Sequence, residues 1–321
     1  MLLPAMRPSW KKRHASIVTS PPSSTAWSAP AMTAFPGFTP LSQDTASAAF
    51  RGVIGGQGPT VLLLHGYPQT HLAWRYIAPV LAQHYRVVMP DLPGYGASRH
   101  LDHRSRWTKR RVAAALVELM EALGLPRFAV VGHDRGGRVG YRLALDHPAR
   151  VERYASLTVV PTPEVWQAFG RERSLANFHW TFLAQPADLP ERLLAAAPEA
   201  FLDQALARMA GGLERVEPLA LAAYRQAFRD PEVRRAICED YRAGAAEDLA
   251  DDLADQARGH LLMCPLLVLW PEQQGGESPL AIWRRWALDV RGCAVPGGHL
   301  QPEESPQEVL AALRPFLEGK R

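Results

Sequence analysis

Short, almost uninterrupted apolar segments alternate with helical patterns along the chain, and this alternation constrains the fold most strongly. The apolar segments lie at 61–65, 85–91, 128–133, 154–160, 265–270 and 292–296. The helical patterns lie at about 107–124, 135–147, 279–288 and 306–318. Strands that are apolar on both faces and alternate with helices indicate a mostly parallel, twisted sheet covered by helices on both sides. The sequence therefore predicts an α/β fold.

The interval from 161 to 258 interrupts this alternation. It contains Ala-, Leu- and Arg-rich helical sequence and no convincing strand. So long an interval between two strands of one sheet is best explained by an inserted helical domain, here called the cap. We therefore predict an α/β core at 34–160 and 259–321. The cap holds 11 Lys+Arg and 17 Asp+Glu, which gives it a net charge of −6, and the rest of residues 44–321 carries +6.

The opening segment, residues 1–33, is rich in Pro, Ser and Ala and has no hydrophobic period, so we expect it to be disordered, with Met32 as an alternative start. The formal net charge of the chain is +4, and all of it comes from four basic residues in this segment. The excess of basic over acidic residues therefore does not indicate a nucleic-acid partner. A basic run at 99–111 contains no recognised binding motif and is predicted to be a solvated loop leading into a helix.

Composition excludes other classes of protein. The chain contains no 18-residue apolar segment, so we predict no membrane-spanning helix. Its three cysteines form no C-x-x-C pair, which argues against a disulfide framework and fits a reducing cytoplasm. We find no metal-ligand spacing and no phosphate-binding glycine loop before a helix, and therefore expect no metal and no cofactor.

The segment Gly132-His133-Asp134-Arg135-Gly136 carries the most chemical information. It follows a predicted strand and opens a predicted helix, which is the context of the G-x-nucleophile-x-G elbow, although an ordinary Asp helix cap is the simpler alternative. A carboxylate nucleophile suits attack on a saturated carbon, where it forms an alkyl ester. Asp134 therefore restricts the substrates to alkyl halides, haloacids or epoxides.

Hydrolysis of such an ester requires a base. His299 follows the last predicted strand in Pro296-Gly297-Gly298-His299, and a late histidine after the nucleophile is the chain order of α/β-hydrolases. The loop after His65 would supply an amide to an oxyanion hole, while His65 itself is interpreted as structural.

These motifs resemble the aspartate-nucleophile branch of the α/β-hydrolase fold, which contains haloalkane dehalogenases, epoxide hydrolases and fluoroacetate (haloacetate) dehalogenases. The resemblance covers roughly residues 34–318. It rests on HGYPQT (65–70), DLPGYGAS (91–98), GHDRGGRVGYRLALDHP (132–148) and PGGH (296–299).

Arg135 and Arg138 make the haloacetate members the best match, because the other two groups usually have Trp after the nucleophile. The resemblance implies that both arginines clamp a substrate carboxylate. Two cations in the first turn of a helix oppose its dipole, which also favours an anionic partner. The alternative is that one or both pair with Asp134 or with acids of the cap.

The resemblance extends to the cap, where His179 and Trp180 match a His-Trp pair and Tyr224 matches a pocket tyrosine. In that family these three groups donate hydrogen bonds to the departing halide. Without the resemblance, such side chains on a cap helix would more often be core or interface aromatics. The resemblance also allows a homodimer.

The acid that orients the histidine is missing from both expected positions. The haloacetate family places it where this chain has Thr158, and other α/β-hydrolases place it where this chain has Gln274. Glu272 is the nearest substitute, and we predict that turnover is reduced.

The leading hypothesis is hydrolysis of fluoroacetate or another haloacetate to glycolate and halide, with a small organic anion as the partner and no nucleic acid or membrane. The alternatives are an epoxide hydrolase, in which Tyr224 and Tyr241 would protonate the epoxide, and a ligand-binding protein that has lost turnover.

Overall fold

The structure is a computed structural model that describes residues 34–103, 106–273 and 275–320. The predictions for residues 1–33 and for Gln274 lie outside the described residues.

One nine-stranded sheet forms the centre of the core. Its strands are β1 (Thr39–Asp44), β2 (Ala48–Gly55), β3 (Thr60–Leu64), β4 (Arg86–Pro90), β5 (Arg99–His100), β6 (Phe128–His133), β7 (Val151–Leu157), β8 (Leu266–Pro271) and β9 (Val290–Val295). The order is β1-β2-β4-β3-β6-β7-β8-β9, with β5 beside β2. Pairing is antiparallel around β2 and parallel from β4 to β9. The predicted α/β fold with a mostly parallel sheet is confirmed.

The strand predictions fail in two places. The predicted strand at 154–160 is β7, which begins and ends three residues earlier because Thr158 leaves the extended conformation with a φ of +65°. The strands β1, β2 and β5 were not predicted. The first of them alternates between exposed and buried side chains at the sheet edge, so it has no continuous apolar run.

Helices cover the sheet and close the core. They are α1 (Ala78–Leu81), α2 (Lys109–Ala122) and α3 (Arg135–Asp146), followed after the cap by α12 (Pro279–Trp283), α13 (Gln301–Glu304) and α14 (Pro306–Leu317). The hydroxyl of Thr108 caps α2 by accepting the amide of Arg111 at 3.2 Å. The helix predicted at 279–288 ends at Trp283, because the chain then turns back so that the Leu262 amide donates to Trp286 O.

The chain between β7 and β8 is helical, with no strand among residues 158–265. Its helices are α4 (Thr162–Gln167), α5 (Arg171–Ala176), α6 (Phe178–Leu183), α7 (Leu189–Ala196), α8 (Pro198–Ala210), α9 (Pro218–Arg229), α10 (Pro231–Ala245) and α11 (Glu247–Ala257). Carboxylates of Glu217 and Asp230 cap α9 and α10. Among the described helices none is long and apolar enough to cross a bilayer.

Ion pairs join the acidic cap to the basic run at 99–111. Lys109, the most buried of these cations, is 2% exposed. The pairs include Arg99–Asp230 (2.6 Å), Arg106–Glu239 (2.8 Å), Lys109–Asp248 (3.2 Å) and Arg110–Asp251 (2.8 Å). The loop arginines Arg99 and Arg106 remain about one-third exposed, as a solvated loop predicts, but they also pair with acids where the complementary charges of core and cap meet.

Candidate active site

Asp134 lies in a sharp turn between β6 and α3. Its φ of +48° and ψ of −115° are strained values for a residue with a side chain. The flanking glycines make the turn possible, because a Cβ at Gly132 would collide with the carbonyl oxygen of Gly136. The turn leaves Asp134 only 7% exposed while its carboxylate lines a cavity. This strand–turn–helix arrangement is the one the sequence predicts.

The two carboxylate oxygens of Asp134 have different partners. The backbone amide of Tyr67 donates to Oδ1 at 2.8 Å, and Oδ2 lies 3.3 Å from His299 Nε2. Burial alone would raise the pKa of Asp134, but the hydrogen bond and charge of His299, with smaller contributions from His133 and Arg135, hold it far below the usual carboxyl value. The group is therefore ionised at neutral pH and can act as a nucleophile.

The loop that carries His299 is held through its backbone. The His299 amide donates to Met209 O at the end of α8 in the cap (3.2 Å), and the His299 carbonyl accepts from Nε2 of His133 (2.7 Å). The amides on either side of His299 both donate to the Glu304 carboxylate, at 2.7 and 2.6 Å. Contacts to both the core and the cap therefore fix the position of the candidate base.

No carboxylate orients the ring of His299 among the residues that the structure describes. The side chain of Glu272 is exposed and makes no hydrogen bond to His299, so the structure does not support its assignment as the orienting acid. Thr158, at the position where the resemblance places that acid, lines the same cavity as His299. Its hydroxyl is buried without a hydrogen-bond partner, at a φ of +65° that β-branched residues rarely adopt.

Arg138 lies one helical turn after Asp134 and lines the same cavity. It is 4% exposed, yet no carboxylate among the described residues pairs with it. One Nη donates to Val160 O and to the Thr162 hydroxyl, both at 3.2 Å, and the guanidinium lies 4.7 Å from the ring centre of Trp180. Its Nε is buried without a partner, and burial lowers its pKa. An unpaired, desolvated cation of this kind favours an anionic ligand.

Arg135 has a different environment, although the sequence pairs it with Arg138. Its Nε donates to Asp240 Oδ2 at 2.6 Å and one Nη donates to Asp240 O at 2.9 Å. Asp240, on cap helix α10, also accepts from Lys109. Arg135 is 1% exposed and does not line the cavity. The alternative that the sequence left open, pairing with an acid of the cap, therefore describes Arg135.

The cavity between core and cap has a volume of about 480 Å³. Asp134, His299, Arg138, His179 and Trp180 all line it, so the structure brings together five residues that the sequence singled out. Within the described residues no group of three His, Cys, Asp or Glu side chains could hold a metal ion.

The tyrosine assignment needs correction. Tyr224 is fully buried outside this cavity, and its hydroxyl donates to Glu303 at 2.9 Å. Tyr241 does not line the cavity either, but its ring packs edge-on against the rings of His179 and Trp180, which do, with ring centres 5.7 and 5.9 Å apart. Burial raises the pKa of Tyr241, although the charge of Arg135 opposes this rise, and its ring centre lies 5.5 Å from that of Tyr67, whose amide binds Asp134. The periodicity of α9 and α10 did not separate the two tyrosines, because both lie on buried helix faces.

Three imidazoles, one buried and two half-buried, are held neutral. Loss of hydration is the main cause in each case, and it lowers the pKa to about 4. The three are His100, His133 and His179. His65 is structural, since its Nε2 accepts the Leu92 amide at 2.9 Å.

Similarity to known proteins agrees with this geometry. Residues 59–290 match the family model described as alpha/beta hydrolase fold. A fluoroacetate dehalogenase from Burkholderia sp is 38% identical over 89% of this chain and 96% of its own length. A soluble epoxide hydrolase from Corynebacterium sp. (strain C12) is 30% identical over 83% of this chain and 92% of its own.

Solved structures give the same result. A Pseudomonas aeruginosa protein, provisionally named an epoxide hydrolase, shares 52% identity over 88% of this chain and 97% of its own, with a TM-score of 0.86. Its structures include a threonine-to-aspartate variant with bound MFA and a glutamine-to-glutamate variant. From its matched residues, its fold and its relatives, the chain belongs to the α/β-hydrolase fold family.

Proposed function

We propose that this hydrolase removes halide from a small haloacid, as in the conversion of fluoroacetate or chloroacetate to glycolate. The observation that carries the proposal is the buried Arg138, which has no carboxylate partner among the described residues and lines one cavity with Asp134. A substrate carboxylate on Arg138 would supply the missing counter-charge. The relative named fluoroacetate dehalogenase supports the same reaction.

In the first step, Asp134 Oδ2 attacks the carbon that bears the halogen. A C–O bond forms, the carbon–halogen bond breaks, and the halide leaves with the bonding electron pair. The Tyr67 amide holds Oδ1 at 2.8 Å and so directs the other oxygen towards the cavity. The product of this step is an alkyl ester in which Asp134 Oδ2 is bonded to the carbon that carried the halogen.

The departing halide needs neutral hydrogen-bond donors. The indole N–H of Trp180 makes no hydrogen bond within the described residues, and His179 stays neutral because burial lowers its pKa to about 4. Tyr241 packs against both rings. Donors that are in place before charge develops on the halide lower the barrier without having to reorganise.

In the second step, His299 takes a proton from water, and the hydroxide attacks the carbonyl carbon of the ester. The tetrahedral oxyanion forms at Oδ1, where the Tyr67 amide donates. When this intermediate collapses, the Cγ–Oδ2 bond breaks and the leaving oxygen takes the proton held by His299, which releases the hydroxy acid. The new carboxylic acid of Asp134 then loses its proton to solvent, which restores the carboxylate. The histidine must carry its own proton on Nδ1 to accept another on Nε2, and no acid among the described residues holds that tautomer. We therefore propose that ester hydrolysis is the slow step.

Epoxide hydrolysis is the second candidate, supported by the Corynebacterium relative's name. It usually requires a pair of tyrosines to protonate the epoxide oxygen. Tyr241 packs on His179, which lines the cavity with Asp134, but the Tyr224 hydroxyl donates to Glu303.

The test is intact-protein mass spectrometry after incubation with fluoroacetate, chloroacetate or styrene oxide, with Asp134→Asn as the matched control. We expect halide release, glycolate, and a carboxymethyl adduct on Asp134 that accumulates before it hydrolyses. Reaction with the epoxide alone would replace the proposal with the second candidate. No reaction with any of the three would remove both.

A further inference from the structure

The cavity is much larger than a two-carbon acid requires. A volume of about 480 Å³ falls within the range of sites for drug-sized ligands, whereas a haloacetate has five heavy atoms. Most of the lining residues belong to the cap, and Val165, Phe178 and Phe201 contribute apolar surface there. A longer carbon chain would fill more of the cavity.

Two further arginines, Arg173 on α5 and Arg208 on α8, line the cap side of the cavity. Neither is paired with a carboxylate among the described residues. Arg208 donates only to the backbone carbonyls of Leu175 and Ala176, at 3.2 and 2.8 Å. Arg208 and His179 line the same cavity, and the charge of Arg208 adds to burial, the main cause, in lowering the pKa of His179.

The charge of the lining is therefore unbalanced. Its described residues include three arginines and one carboxylate, which is the nucleophile itself. One arginine, Arg138, accounts for a single substrate carboxylate. The other two, the partly buried Arg173 and the exposed Arg208, line the same cavity without a carboxylate partner among the described residues, which suits a second anionic group on the same molecule.

Resting on the proposed function, we infer that the preferred substrate is a 2-halo dicarboxylic acid. One carboxylate binds Arg138 beside the carbon that Asp134 attacks. The carbon chain lies along the apolar walls, and the second carboxylate binds Arg173 and Arg208. The reaction replaces halide by hydroxyl at C2 and leaves the second carboxylate unchanged, so the product is a 2-hydroxy dicarboxylic acid.

The test compares matched acids in first-turnover bromide release: 2-bromosuccinate with 2-bromobutanoate, 2-bromoglutarate with 2-bromopentanoate, and 2-bromoadipate with 2-bromohexanoate. Each pair has the same carbon chain and differs in the terminal carboxylate. Charge-assisted hydrogen bonds of the usual strength predict that at least one diacid exceeds its partner in kcat/KM by about tenfold to a hundredfold. Arg173→Gln and Arg208→Gln should reduce this ratio, whereas Arg215→Gln, outside the cavity lining, should leave it unchanged.

The outcomes separate this inference from the proposed function. If bromoacetate and the monoacids release bromide but no diacid exceeds its partner, the inference fails and the proposed function stands. If no acid releases bromide, the proposed function fails. An equal loss for bromoacetate, monoacids and diacids in the arginine variants would mean that the two arginines only attract anions, and this would also overturn the inference.

Discussion

Arg135 and Arg138 are three residues apart, yet the structure predicts opposite consequences for replacing each with methionine. Methionine keeps much of the length of the side chain and removes its charge. Arg138→Met should strongly weaken haloacid binding and leave stability nearly unchanged. Arg135→Met should destabilise the fold and affect binding only indirectly.

For Arg138 the stability terms nearly cancel. The variant loses two hydrogen bonds of 3.2 Å, each contributing about 1 kcal/mol, and a contact with the Trp180 ring that contributes about 1 kcal/mol. It also removes a buried cation without a carboxylate partner among the described residues, whose desolvation costs several kcal/mol. We expect the free energy of unfolding to stay within about 1.5 kcal/mol of the wild type.

Its effect on activity should be large. Truncating one partner of a buried charge pair costs about 2–5 kcal/mol of binding energy, so kcat/KM should fall by about 30-fold to 5,000-fold. For Arg135, removal of the partner of the buried Asp240 carboxylate should cost about 3 kcal/mol, the lower end of the usual range, because Lys109 still pairs with Asp240.

Urea unfolding followed by tryptophan fluorescence measures the free energy of unfolding, and first-turnover bromide release from bromoacetate measures kcat/KM. The activity of both variants should be measured without urea, at a temperature where each variant is folded. Equal destabilisation by the two substitutions would refute the reasoning about buried charge. A loss of kcat/KM in folded Arg135→Met as large as in Arg138→Met would show that Arg135 also binds the substrate.

Three further outcomes follow from the same geometry. Thr158→Asp should accelerate steady-state turnover by up to about 10⁴-fold, because Asp can orient the His299 ring. It should not lower stability, because Asp tolerates a positive φ better than Thr. Thr158→Asn is the matched control, and equal rates for the two variants in a multiple-turnover halide assay would contradict the prediction. The three imidazoles with a pKa of about 4 take up protons on unfolding, so stability should be full above pH 6.5 and fall towards pH 4. Urea unfolding at several pH values measures how the free energy of unfolding changes with pH. In His133→Gln the slope of this dependence should be smaller by up to about 1.4 kcal/mol per pH unit, and an unchanged slope would exclude His133 as a contributor. Tyr241→Phe should slow first-turnover fluoride release from fluoroacetate, whereas Tyr224→Phe should cost only about 1 kcal/mol of stability, and the reverse pattern would restore the sequence-based assignment.

The sequence was sufficient for the sheet centre and the elbow because both depend on local patterns. The strand at 128–133 and the turn at Asp134 need only an apolar run followed by closely spaced glycines. The edge strand β1 and its neighbour β2 were missed because their pairing partners, not their own residues, determine that they are extended.

Site residues that depend on contacts between distant segments were harder to predict. Because Arg135 and Arg138 lie within one helical turn of each other, the sequence led to the same interpretation for both. Only the contact of Arg135 with Asp240 of the cap, 105 residues away, distinguishes them. The choice between Tyr224 and Tyr241 depended in the same way on which helix packs against His179.

The bond from the His299 amide to Met209 O has a consequence for building chimaeras of related hydrolases. It uses a main-chain carbonyl, so any side chain at 209 preserves it, provided that the preceding helix ends at the same height above the sheet. A cap transplanted from another hydrolase could therefore carry different side chains in the cavity lining. A helix one turn shorter, by about 5.4 Å, would instead move the carbonyl acceptor away from the loop that carries His299. Helix length, rather than residue identity, sets the limit on how far caps can be exchanged on this core.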